Sequence, residues 1–145
     1  MADFYLVLLM IHFLGLALGV GTSFAVMRLG AASQALEPVE RAKFMVRALP
    51  VAKNGGIGLG LLILSGIGLV FVRGPAATFA LGGPAFHVKL TLVVILAGVL
   101  GYSQVLQKRV REAGGGPALA TLPKVGAALL LLSVAIVIAA VIAFQ

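Results

Sequence analysis

Apolar residues in this chain come in long unbroken runs, without the two-residue alternation of a half-buried strand or the single stripe of a surface helix. Four segments stand out: 4–27, broken only by His12; 51–72, rich in Gly and Leu; 86–106, containing His87 and Lys89; and 121–144, carrying Lys124. Each has the roughly 20 residues that a helix needs to cross a hydrocarbon layer about 30 Å thick. A helix that is apolar all round belongs in lipid or in a large core. The four segments occupy most of the 145 residues and leave no room for a soluble domain. The pattern predicts an all-α protein, an integral membrane bundle of four transmembrane helices that forms a single domain over 1–145.

Two connections have features of their own. Glu37-Pro38-Val39-Glu40 reads as a helix start, with Pro at the first position and acids at the positive end. This short helix is expected to run to Leu49, laying Val39, Ala42, Met45, Val46 and Leu49 toward the membrane and Arg41, Lys43 and Arg47 toward headgroups or water. A face that docks a partner is the other use of such a helix. Ala113-Gly114-Gly115-Gly116-Pro117 is a turn that ends the third membrane helix.

Composition narrows the classes. Hydrophobic residues make up 61% of the chain and charged residues 10%, against about 25% charged in soluble domains. Without cysteine there is no disulfide framework, thiolate metal site, iron–sulfur cluster or covalently attached haem. The net charge of +7 does not indicate nucleic acid as a partner, because the cations sit between apolar runs and form no polar face. Met1-Ala2-Asp3 is not the basic start of a cleavable signal, and the first apolar run is too long for one.

The cations orient the bundle instead. Arg28, Arg41, Lys43, Arg47 and Lys53 lie between the first and second spans; Lys108, Arg109, Arg111 and Lys124 lie between the third and fourth. Only Arg73 and Lys89 belong to the opposite side. Short-loop Lys and Arg prefer the cytoplasm, so both termini are expected in the periplasm or its equivalent, in a bacterial inner membrane.

Ionisable groups inside a bilayer are costly and raise a functional hypothesis. Here they are His12, His87 and Lys89, and no Asp or Glu falls within a span. That argues against a carboxylate-driven transporter and a di-iron carboxylate bundle. His12 lies about 12 Å below the outer end and His87 enters from the same side. Two imidazoles facing across an apolar slot would suit a b-type haem. A buried histidine bonded to a carbonyl or serine is the competing reading of His12. Gly15 and Gly19 share the His12 face, where they admit either a flat macrocycle or another helix; Gly56 and Gly60 fit helix packing as well. His87 and Lys89 are about 200° apart around a helix, so one faces inward and the other outward. Lys89 either snorkels to the interface or pairs with a porphyrin propionate. Asn54, Ser65, Tyr102, Ser103 and Gln104 are candidates for interhelical hydrogen bonds. No Ser/His/Asp set, zincin motif or nucleotide loop is present.

His12 in the first span, Arg28 at its far end and Phe86-His87-Val88-Lys89-Leu90 opening the third resemble the HemJ-type protoporphyrinogen IX oxidases and the wider group of small four-helix proteins related to the copper-resistance D membrane domain. Leu49-Pro50, Gly101-Tyr102 and Lys108-Arg109-Val110-Arg111 extend the likeness over most of the chain. The resemblance implies a haem b cofactor in a bundle that is often dimeric, and six-electron oxidation of protoporphyrinogen IX with electrons passed to the respiratory chain. It implies an axial-ligand role for His12, a catalytic and cofactor-binding role for Lys89, and supporting roles for His87 and Arg28. The chain departs from the family in lacking tryptophan, in having Leu29-Gly30-Ala31-Ala32 where a second histidine follows the arginine, and in Ser103 where Gly-Tyr-His is usual; these mark a divergent member.

Two functions follow as expectations. One is a haem-binding redox protein that oxidises a tetrapyrrole, with His12 and His87 as metal ligands. The other is a non-catalytic membrane subunit or assembly factor that packs against the helices of a respiratory or other complex.

Overall fold

A computed structural model describes residues 2–143. Five α-helices carry the fold: α1 (Ala2–Ala32), α2 (Pro38–Ala48), α3 (Lys53–Arg73), α4 (Pro75–Ala113) and α5 (Ala118–Ala143). There is no strand among the described residues. The helices α1, α3, α4 and α5 are long and apolar enough to cross a membrane, and α2 is the short connecting helix foreseen from Pro38. The protein is thus an all-α, multi-pass membrane bundle. Its fourth span was expected to end at Phe144, which lies outside the described residues.

The long helices run up and down, each antiparallel to the next. The order around the bundle is α1, α3, α4, α5, with α5 closing back on α1. One end carries both ends of the described chain and the α3–α4 turn (the termini end). The other carries α2 and the α4–α5 turn (the loop end).

Glycine sets the closest seam. A Cβ placed on Gly58 would lie 2.7 Å from the Gly15 carbonyl oxygen and 2.7 Å from the Gly19 nitrogen, so the backbones of α1 and α3 touch here. Such small-residue contacts let membrane helices associate without a hydrophobic driving force between them. At the far end of α1, Gly30 and Pro123 form the matching contact with α5. The α3–α4 seam is the least extensive of the four.

The apolar face of α2 does not lie on lipid as its pattern suggested. Met45 and Leu49 are buried at the loop end with Leu106, Val110, Leu119 and Leu122, while Val39 is exposed. The cause is the α4–α5 turn, which comes so close to α2 that a Cβ on Gly115 would lie 3.0 Å from the Ala42 methyl. That turn ends α4 as the glycine run indicated: Gly114 is left-handed (φ 63°), and the Gly115 N–H bonds to the Val110 carbonyl at 2.9 Å. Burying Met45 and Leu49 is worth about 1.5–3 kcal/mol each relative to water.

The third apolar segment begins earlier than the hydropathy break suggested. Pro75 takes the first helical position after Gly74, and residues 75–82 form a helical piece ahead of Gly83. At Gly83 (φ 49°, ψ −149°) the backbone leaves the helix, and Pro84 restarts it. Gly82 leaves room for Phe86, since a Cβ there would sit 2.6 Å from the Phe86 Cβ. Phe86 is therefore buried, packed edge-on against Phe79 at 5.2 Å.

Candidate functional site

Toward the termini end the four long helices part and leave three connected cavities. The central one lies among all four helices and is floored by Ser23, Leu129 and Ser133. A second, of about 390 Å³, extends to Tyr5 and Arg73. A third, of about 250 Å³, runs between α3 and α4. His12, Leu62 and Lys89 line all three.

His12 is held in place from α3. Its Nδ1 lies 2.9 Å from the Ser65 Oγ, and Ser65 is 2% exposed. The Ser65 hydroxyl donates its only proton to the Leu61 carbonyl one turn back, so its oxygen accepts from His12. This assigns the proton of the neutral imidazole to Nδ1 and leaves the lone pair on Nε2. A ring nitrogen fixed by a second hydrogen bond while the other is free to coordinate is how proteins prepare metal-binding histidines. Gly66 beside Ser65 faces the ring, with a Cβ there 3.5 Å from the imidazole carbon between the nitrogens.

Lys89 reaches the cavities from α4, across the bundle from α1. None of the acidic side chains lines any of the three. Ser23 and Ser133 turn their hydroxyls onto the Gly19 and Leu129 carbonyls, at 2.9 and 2.8 Å, and so add little polarity to the floor. At the mouth Arg73 stacks on Tyr5, 5.9 Å from the ring centre. The result is an apolar chamber with one imidazole, one amine and a guanidinium at its rim.

The candidate residues divide accordingly. His12, Lys89 and Gly19 line the central cavity, and a Cβ on Gly19 would meet nothing within 4 Å. His87 does not join His12. It takes the outward side of the 200° pair: it is exposed, its Nδ1 is 3.1 Å from the Gly83 carbonyl on its own helix, and its ring lies 5.7 Å from that of Phe79. The expected pair of facing imidazoles is therefore not formed, because inward placement of Lys89 fixes His87 outward. Gly15 is not at the cavity either; α3 fills its face through Gly58, Leu61 and Leu62. Arg28 is exposed and lies 16 residues beyond His12, about 24 Å along the helix at the loop end, so it takes no part in this site.

Phe86 and Arg73 are the members whose part the sequence did not reveal; the His12–Ser65 bond is both the interhelical hydrogen bond foreseen for Ser65 and the serine-bonded histidine that was the competing reading of His12. Ser65 is the sole hydroxyl within α3, a signal that could have singled it out from the other candidates. No group of three or more His, Cys, Asp or Glu side chains occurs among the described residues. Among the described residues, no His, Cys or Met besides His12 lines the cavities, so the chamber offers a metal one imidazole. The chain matches no family model, no curated protein and no solved structure.

Proposed function

We propose that this protein binds a tetrapyrrole within the membrane and serves a redox role, the reading most consistent with its resemblance to the HemJ-type oxidases. The observation that carries it is the chamber shared by His12 and Lys89, with the His12 Nδ1 engaged by Ser65. The residues fit a haem b held by a single imidazole: His12 Nε2 would bind its iron. Apolar residues such as Leu16 and Leu62 would cover the faces, and Lys89 and Arg73 would take carboxylate edges. The cavity that reaches Arg73, of about 390 Å³, falls in the range of small-molecule sites, about 300–1,000 Å³. When bound, the haem would supply one-electron chemistry. The chain's own part is to position the ring through Ser65, to keep water out with the apolar floor, and to hold a positive charge at Lys89 against an acidic substituent.

Oxidation of protoporphyrinogen IX is the activity this arrangement would serve, with electrons leaving to a respiratory-chain partner. The nine loop cations would face the cytoplasm of a bacterial inner membrane and the termini its periplasm, and a second copy is a candidate partner. Haem titrated into the detergent-solubilised protein should bind with a saturable shift in its absorption. Lys89→Met should weaken binding of haem at least tenfold but leave binding of its dimethyl ester unchanged, the ester having no carboxylate to pair. Equal binding of haem by both proteins would remove Lys89 from the account.

A further inference from the structure

We propose that the α3–α4 cleft is the entrance to the His12 chamber, opening sideways into the hydrocarbon layer, and that what passes through it is a membrane-dissolved apolar molecule with an acidic group at one edge. The identity of the ligand rests on the function proposed above; the entrance itself rests on geometry.

The seams around the bundle are not equivalent. Between α1 and α3 the backbones touch at Gly15 and Gly58, and between α1 and α5 Gly30 is closed by Pro123. The α3–α4 seam is the loosest, and a cavity runs along it from the lipid-facing surface to His12 and Lys89. Its lips are exposed apolar side chains: Phe71 at 72%, Ile67 at 50% and Leu90 at 42%. An apolar molecule therefore meets no polar barrier until it reaches the imidazole and the amine.

Among the described residues, Phe86 is the one phenylalanine that lines both this cleft and the larger cavity reaching Arg73. It stands three residues past Gly83, where α4 departs from helical geometry. Phe86 follows that break, on the part of α4 that packs on α5, and its ring meets Phe79 of the 75–82 piece at 5.2 Å. Movement of that piece would uncover Phe86 at the inner end of the cleft. The Lys89 amine at the inner end would favour an acidic edge over a neutral one.

The chain contains neither tryptophan nor cysteine, which makes both tests clean. Phe86 and Leu106 are equally buried, each 5% exposed, so only lipid reaching into the cleft would separate them. Phe86→Trp in phosphatidylcholine vesicles with brominated acyl chains should lose at least half its fluorescence, and Leu106→Trp, in the loop-end core, should lose little. Equal, weak quenching of both would overturn the entrance whatever the ligand proves to be. In the Ile67→Cys/Leu90→Cys variant, a bis-maleimide bridge should slow haem uptake from vesicles at least tenfold, while each single variant treated alike loads at the normal rate. Haem uptake unaffected by the bridge would overturn the entrance and leave the binding site standing. Failure of the unbridged protein to take up haem, with Phe86→Trp still quenched, would overturn the ligand and leave the entrance.

Discussion

Gly58→Ala probes the contact on which the site's geometry depends. The added methyl would stand 2.7 Å from two backbone atoms of α1, the Gly15 oxygen and the Gly19 nitrogen. Neither can rotate away. An ordinary contact needs at least 3.4 Å, so α1 and α3 must part by about 0.7 Å. Overpacking of this kind costs about 1–3 kcal/mol. Gly60→Ala, on the same helix with nothing within 4 Å of the new methyl, supplies the reference. Both substitutions carry the same gain in helix propensity, about 1 kcal/mol, which cancels in the comparison. Reversible unfolding in mixed micelles of increasing dodecyl sulfate should place Gly58→Ala about 1–3 kcal/mol below Gly60→Ala. The damage should also reach the site. A rigid parting of the helices stretches the His12–Ser65 bond from 2.9 Å to about 3.6 Å, where it no longer counts as a hydrogen bond. Gly58→Ala should therefore weaken haem binding together with stability. Equal stability of the two variants would refute the close approach of α1 and α3.

Three further outcomes follow from particular contacts. Ser65→Val, which removes the acceptor for the His12 proton, should cost roughly 10–100-fold in haem affinity, measured by titration, while Ser65→Thr keeps most of it. Gly114→Ala places a methyl on a left-handed residue (φ 63°) and should destabilise the protein by about 1–2 kcal/mol in the same dodecyl sulfate assay, whereas Ala113→Gly should cost less. Leu122→Ala empties a site that is 1% exposed in the loop-end core, and should lower stability by at least about 2 kcal/mol without changing haem affinity.

The bundle was legible because lipid demands so little of a sequence beyond length and apolar character. The glycine turn after Ala113 and the proline start of α2 followed equally well from local backbone rules. The piece 75–82 did not, since Gly82-Gly83-Pro84 reads as the end of a loop until Phe86 is seen folded over Gly82. At the site, the spacing of His87 and Lys89 showed that they must diverge, but not which one turned inward; that depends on how α4 is rotated against α5. Gly15 and Gly19 look alike in sequence, yet one is sealed by Gly58 and the other faces the chamber. The position of α3 decides between them. Arg28 was excluded by distance along α1, a constraint the resemblance alone did not apply.

The central claim is that His12 alone offers an imidazole to the chamber, with Nε2 free. Absorption spectra of the haem-loaded protein test it most directly, taken for the wild type beside His12→Ala and His87→Ala. The account predicts a Soret band in the wild type and in His87→Ala, with the shape of a haem held by one imidazole, and its loss in His12→Ala. A bis-imidazole spectrum that changes in His87→Ala, or a Soret band that survives in His12→Ala, would contradict it.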